Sequence, residues 1–153
     1  MNITLPLMIA LVALSAGCAQ IQRDTMPSTF QLDNLTITWN GHASFTVEGA
    51  KRIYIDPYVL PADPKPADII IISHDHFDHC DPEKVKLIQT DTTDIIGTPD
   101  CVKKMSGRTN SIKARESFTF DGIKISAVEA YNVNKFRSPG QPFHPKGFGV
   151  GFV

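Results

Sequence analysis

The 153-residue chain carries almost no net charge: 15 basic and 16 acidic side chains leave it at −1. That balance gives no electrostatic reason to expect nucleic acid or an anionic membrane surface as a partner. No internal repeat or low-complexity segment is present, so solenoids and arrays are excluded. The length suits one domain with a real core and is too short for two. Cysteine is scarce, and of the three only Cys80 and Cys101 follow residue 18. Two cysteines at that spacing do not show a disulfide, and a thiolate ligand from Cys80 is a further alternative. The expectation is two free, small side chains.

Charge is missing altogether from Met1 to Gln22. Within that stretch Ile9-Ala10-Leu11-Val12-Ala13-Leu14 is an apolar centre with no polar face, which excludes a buried amphipathic helix. Ser15-Ala16-Gly17-Cys18 follows and resembles a bacterial lipoprotein cleavage site, although no basic residue stands near Met1 and serine occupies a position where leucine is more usual. The expected organisation is a signal peptide over 1–18 with Cys18 lipidated, a tether over 19–33 and one domain over 34–153. An uncleaved anchor or an ordinary signal peptide is the alternative. Each version exports the domain, and lipidation would hold it to the membrane on the periplasmic or cell-surface side.

Alternation predicts strands over Leu35–Trp39 and Ser44–Val47, with a third over Arg52–Ile55 ending at Asp56-Pro57. From Pro57 to Ala67 four of the chain's 11 prolines mark a loop. Asp68-Ile69-Ile70-Ile71-Ile72 then reads as a strand buried on both faces. Asp81-Pro82-Glu83 opens a helix toward Gln89, with an N-cap carboxylate, proline in the first turn and an acid at the positive end of the dipole. Asp94–Gly97 predicts a short strand, and Thr98-Pro99-Asp100 a second helix stopped by Gly107. Ser117–Phe120 and Ile123–Val128 around Asp121-Gly122 form the clearest hairpin; 129–147 reads as loop, and Phe148–Val153 as a strand. Strands followed by strands interleaved with helices predict a layered α/β domain.

The densest chemistry lies directly after the isoleucine run. His74-Asp75-His76-Phe77-Asp78-His79 places three histidines and two aspartates in six positions. Imidazoles and carboxylates crowded at the end of a buried strand suit a cluster of divalent ions. On extended backbone His74, His76 and Asp78 share one side, while His79 breaks that parity and can serve a neighbouring ion. The alternative is a solvated polar loop.

This His-x-His-x-Asp-His pattern resembles the metal-binding motif of the metallo-β-lactamase-fold hydrolases. Trp39-Asn40-Gly41-His42-Ala43-Ser44-Phe45, Tyr54-Ile55-Asp56-Pro57, Ala130-Tyr131-Asn132 and Phe143-His144-Pro145-Lys146-Gly147 occur in the family's order and resemble the branch related to the ascorbate-6-phosphate lactonase. The similarity covers about Leu35 to Val153. It implies an αββα sandwich, here cut to its first half, lacking a bridging aspartate and a later histidine that a complete member would carry. It also implies two divalent ions, zinc first, with manganese or iron as alternatives.

By that resemblance His74 and His76 bind the first ion, with His144 as its third ligand, and Asp78 with His79 binds the second. Asp78 is thereby the catalytic carboxylate. Asp56 supports the site by accepting a hydrogen bond from a ligand imidazole. His42 lines the pocket or fills a structural niche, and Asn132 stands near where other branches place a histidine. Asp75 is expected at the surface, and Arg137 and Lys146 as solvated bases. The implied activity is hydrolysis of a small-molecule ester, lactone or phosphodiester by a metal-bound hydroxide. The competing readings are a catalytically deficient metal-binding lipoprotein domain and a lipoprotein with a purely structural role. An uncovered sheet edge would favour oligomers.

Overall fold

The computed structural model describes residues 28–153, so the expected signal peptide, Cys18 and the tether before Ser28 lie outside the described residues. Four antiparallel strands come first: Ser28–Leu32 (β1), Leu35–Gly41 (β2), Ser44–Glu48 (β3) and Arg52–Ile55 (β4). Ile69–Ile72 (β5), Asp94–Gly97 (β6) and Arg108–Ser111 (β7) then add in parallel, giving one seven-stranded sheet in the order β1 to β7. The parallel crossovers carry helices Pro82–Ile88 (α1) and Pro99–Val102 (α2). Ser117–Phe120 (β8), Ile123–Ala130 (β9) and Gly149–Phe152 (β12) form a second sheet ordered β12-β9-β8. Phe136–Ser138 (β10) and Gln141–Pro142 (β11) make a separate small hairpin.

Strand β5 explains the layering. Ile70 and Ile72 face Val85 and Ile88 of α1, whereas Ile69 and Ile71 face Ile125, Ala127 and Val150 of the second sheet. A strand covered on both sides must be apolar at every position, and all four isoleucines are buried. Each contributes about 2 kcal/mol by its transfer out of water. The result is three layers, one helical and two of sheet, in the α/β sandwich class expected. Among the described residues no helix covers the outer side of the small sheet. That sheet also leaves part of the large one uncovered, since Phe30 and Phe45, on the face that carries Ile53 into the inter-sheet core, are 61% and 37% exposed.

Local signals account for most boundaries. Asp81 caps α1, accepting from the backbone N–H of Glu83 at 2.9 Å and of Lys84 at 3.3 Å. Asp121 and Gly122 both have positive φ, 48° and 86°, the twist a two-residue hairpin needs to match its strands.

Four expectations are corrected. Residues 28–32, assigned to a tether, form an edge strand, because Thr29 and Gln31 lie opposite Thr38 and Thr36 and bond to them through their side chains. The second helix stops at Val102 rather than near Gly107; the Thr98 hydroxyl makes no capping bond, and β7 follows within six residues. The segment 129–147, expected as loop, contains the end of β9 and the β10–β11 hairpin. Cys80 and Cys101 are joined in a disulfide, not free: tertiary packing brings their Cα atoms to 6.0 Å inside the helix-side core, a proximity invisible in their spacing of 21 residues.

Closing a loop of that length removes entropy worth about 3 kcal/mol from the unfolded chain. A Cys80→Ser/Cys101→Ser variant is therefore expected to unfold at lower urea by roughly that amount, measured against the oxidised parent. An unchanged midpoint would refute the bond's contribution.

Candidate metal centre

The site lies where β5 ends and turns toward α1, with three other segments converging on it. His74 stands one residue beyond the end of β5, after Ser73, and is 7% exposed. Its ring centroid is 4.8 Å from that of His76 and 4.8 Å from that of His144. Phe148 closes one side, its ring 4.8 Å from His76 and 5.7 Å from both His74 and His144. Gly149 lets β12 pass at this point: a Cβ there would stand 3.2 Å from the His74 Cβ, and the Val150 N–H donates to the Ser73 carbonyl at 3.0 Å.

The imidazoles of His74, His79 and His144 each have Nδ1 committed to a neighbouring acceptor. Ser73 Oγ donates to Asp56 Oδ2 at 2.7 Å and so accepts from His74 Nδ1 at 2.9 Å. Asp56 Oδ2 accepts directly from His79 Nδ1 at 2.8 Å. Asn132 Oδ1 accepts from His144 twice, from the backbone N–H at 2.9 Å and from Nδ1 at 2.8 Å. With the proton held on Nδ1, Nε2 of each ring keeps its lone pair for the centre of the site. At His74 that nitrogen is buried and has no hydrogen-bond partner.

The donor atoms gather into two groups, His74 with His76 and His144, and His42 with Asp78 and His79; within each group they lie within 4.8 Å of one another. Electrostatics follow the crowding. Burial, then the neighbouring imidazoles of His79, His144 and His76, push His74 down to about 4, so it stays neutral. Burial and the His76 and His79 rings lower His144 as well. At His79 burial opposes the charged form, but the Asp56 and Asp78 carboxylates outweigh it and the pKa is raised. Burial works to raise Asp78, but the hydrogen bond from His42, a backbone hydrogen bond and the nearby His79 and His42 rings together outweigh it, holding the carboxyl below its usual range.

All the expected donors therefore meet. Asp56 accepts from the His79 imidazole. His42 does more than line a pocket, since its Nε2 is 2.8 Å from Asp78 Oδ2. Asn132 is placed behind His144 rather than in a donor group. Asp75 bonds Lys104 at the surface, whereas Lys146, expected to be solvated, pairs with Glu129 at 3.1 Å. Sequence reading passed over Ser44, Ser73 and Phe148. Ser44 Oγ donates to the Asp56 carbonyl at 2.6 Å and accepts from the Tyr58 and Val59 N–H groups, tying the β2–β3 turn to the Asp56 turn. Its place within Gly41-His42-Ala43-Ser44 was the one available signal.

A family model described as a beta-lactamase superfamily domain matches residues 36–153. The chain belongs to the metallo-β-lactamase superfamily. A UPF0173 metal-dependent hydrolase of Thermoplasma acidophilum is 27% identical over 124 residues, covering 72% of this chain and 54% of that protein. One from Pelotomaculum thermopropionicum is 27% identical over 128 residues, covering 78% and 56%. The crystal structure of a protein described as a putative metal-dependent hydrolase from Parabacteroides distasonis superposes with a TM-score of 0.69 at 30% identity, covering 84% of this chain and 60% of that one. This superfamily member thus spans about half the length of the curated relatives it matches.

Asp56 accepts from the Ser73 N–H at 2.7 Å as well as from Ser73 Oγ and His79, all at a side chain only 7% exposed. Removing the carboxylate takes the acceptor from three part-buried donors, so Asp56→Ala is expected to cost about 3 kcal/mol in urea unfolding of the metal-free chain. Asp56→Asn, which keeps an acceptor, should cost clearly less; equal losses would argue against a hydrogen-bond hub.

Proposed function

We propose that this protein is a metal-dependent hydrolase that acts on an ester, lactone or phosphodiester. The observation that carries the reading is His74 Nε2, a buried nitrogen without a partner, facing two further imidazoles. An unpaired buried acceptor is costly, and a divalent cation would satisfy it. The residues present fit such an ion: His74, His76 and His144 would hold one, and Asp78 with His79 a second. Nitrogen and carboxylate donors accept zinc, manganese or iron, and the all-imidazole group favours zinc. The chemistry such cations supply is Lewis acidity, which lets water act as a nucleophile near neutral pH and offsets negative charge developing on the attacked group.

The chain's own residues prepare that chemistry. Ser73, Asp56 and Asn132 hold the imidazoles in one tautomer and orientation. Phe148 shields one side from water. A cavity of about 380 Å³ beside His74 and His144, lined also by Tyr131 and Asn132, is of small-molecule size. A second reading is metal binding without turnover by the same donors, in a domain whose inner sheet face is partly uncovered around Phe30 and Phe45.

Metal content and hydrolysis separate the readings. The chelator-stripped chain is expected to take up zinc stoichiometrically and to hydrolyse ester, lactone or bis-phosphate reporters, with His76→Ala and Asp78→Ala lowering the rate at least about a hundredfold. Zinc uptake without turnover would support the second reading, and no uptake would refute both.

We also propose export and lipid anchoring through Cys18. The Cys80–Cys101 disulfide supports it, since such bonds persist in oxidising compartments. Intact mass of the protein from a membrane fraction should show an N-terminus at Cys18 carrying acyl chains; a start at Met1 would exclude it.

A further inference from the structure

We infer that His42 is a protein donor to the second ion, so that His42, Asp78 and His79 form a three-donor set alongside His74, His76 and His144. The inference rests on the metal-binding reading above and assigns a residue to it that the His-x-His-x-Asp-His motif does not contain.

Geometry is the first support. His42 Nε2 is 2.8 Å and His79 Nε2 4.0 Å from the same oxygen, Asp78 Oδ2, and the two imidazole centroids are 5.5 Å apart. His79 Nδ1 is committed to Asp56, so its Nε2 alone is left to face the others. The His42 nitrogen and the Asp78 oxygen approach each other where both could donate to one cation. The same pairing of an imidazole with a carboxylate across 36 residues is not needed for the fold, because neither partner is buried.

The backbone is the second support. Gly41 and His42 both adopt positive φ, 119° and 51°, at an irregularity in the β2–β3 pairing. A histidine in the left-handed region costs about 1 kcal/mol or more, and such strain persists where the surroundings impose it. Here Trp39 Nε1 donates to the His42 carbonyl at 2.9 Å, and Ser44 anchors the following residues to the Asp56 turn. The turn is thereby held with the His42 ring over Asp78. A side chain 46% exposed does not fill a core niche, and its ring packs edge-on to Tyr58 and His79 instead.

The two groups then differ in character. Three imidazoles make an all-nitrogen set suited to zinc, whereas two imidazoles and a carboxylate also accept manganese or ferrous iron. Unequal affinities at the two sites follow from that difference.

Cobalt(II) titration of the chelator-stripped full chain, followed by visible absorbance and equilibrium dialysis, tests this. The parent is expected to bind two equivalents. His42→Ala and His42→Gln should each keep one and weaken the other about a hundredfold or more, while His76→Ala weakens the opposite one. The glutamine variant decides between ligation and mere orientation, because its amide N–H still reaches Asp78 but supplies no imidazole. Two equivalents at parental affinity in His42→Gln, or a parent that binds only one, would overturn the inference while leaving the metal reading intact. A parent that binds none overturns both. If neither His42 variant keeps the parental circular dichroism, pulsed electron paramagnetic resonance of the copper-loaded His76→Ala/His144→Ala chain decides: two coordinated imidazoles at the remaining group are expected, and one overturns the assignment.

Discussion

The Asp56 carboxylate joins the turn that follows β4, the residue that follows β5 and the last histidine of the loop between β5 and α1. Its Oδ1 accepts from the Ser73 backbone, and its Oδ2 accepts from both Ser73 Oγ and His79 Nδ1. Through Ser73 the same oxygen sets the proton on His74. One buried acid therefore orients a ring in each of the two donor groups. It can do so because its backbone is itself constrained: φ is 45°, the Asp56 N–H donates to the Ile71 carbonyl at 2.9 Å, and the Asp56 carbonyl is bonded by Ser44.

The layers serve that arrangement. Four buried isoleucines fix β5 between the helix and the second sheet, and the chain leaves the strand at Ser73 with little freedom in where His74 points. On the far side of the loop, Cys80 is tied to Cys101 within the helix-side core. The six residues from His74 to His79 are thus held at both ends, by a parallel ladder and by a covalent bond. A loop so anchored loses little entropy when its side chains converge on an ion, which is what preorganised binding requires. The third donor of each group comes from elsewhere, His144 from the segment after the β10–β11 hairpin and His42 from the β2–β3 turn.

The β5 strand, the Asp81 cap and the Asp121-Gly122 hairpin were legible in the sequence because each depends on neighbours within a few positions. The donors His74, His76, Asp78 and His79 were legible for the same reason, as spacing within one short segment. His144 and Asp56 came through ordered resemblance, and the structure brings both to the site. What escaped was non-local. An edge strand at Ser28–Leu32 depends on cross-strand threonine and glutamine contacts, and β7 on a parallel ladder with β6.

By itself, then, the sequence determined that a metal-type donor loop follows a doubly buried strand, since periodicity and ligand chemistry are properties of contiguous residues. Only the tertiary structure decided that Cys80 meets Cys101, that Asn132 bonds His144, and that His42 reaches Asp78. These pairings span 21, 12 and 36 positions. Chain folding alone sets such distances, because contact between remote residues is decided by how layers pack and turns are aimed, not by the order in which the residues occur.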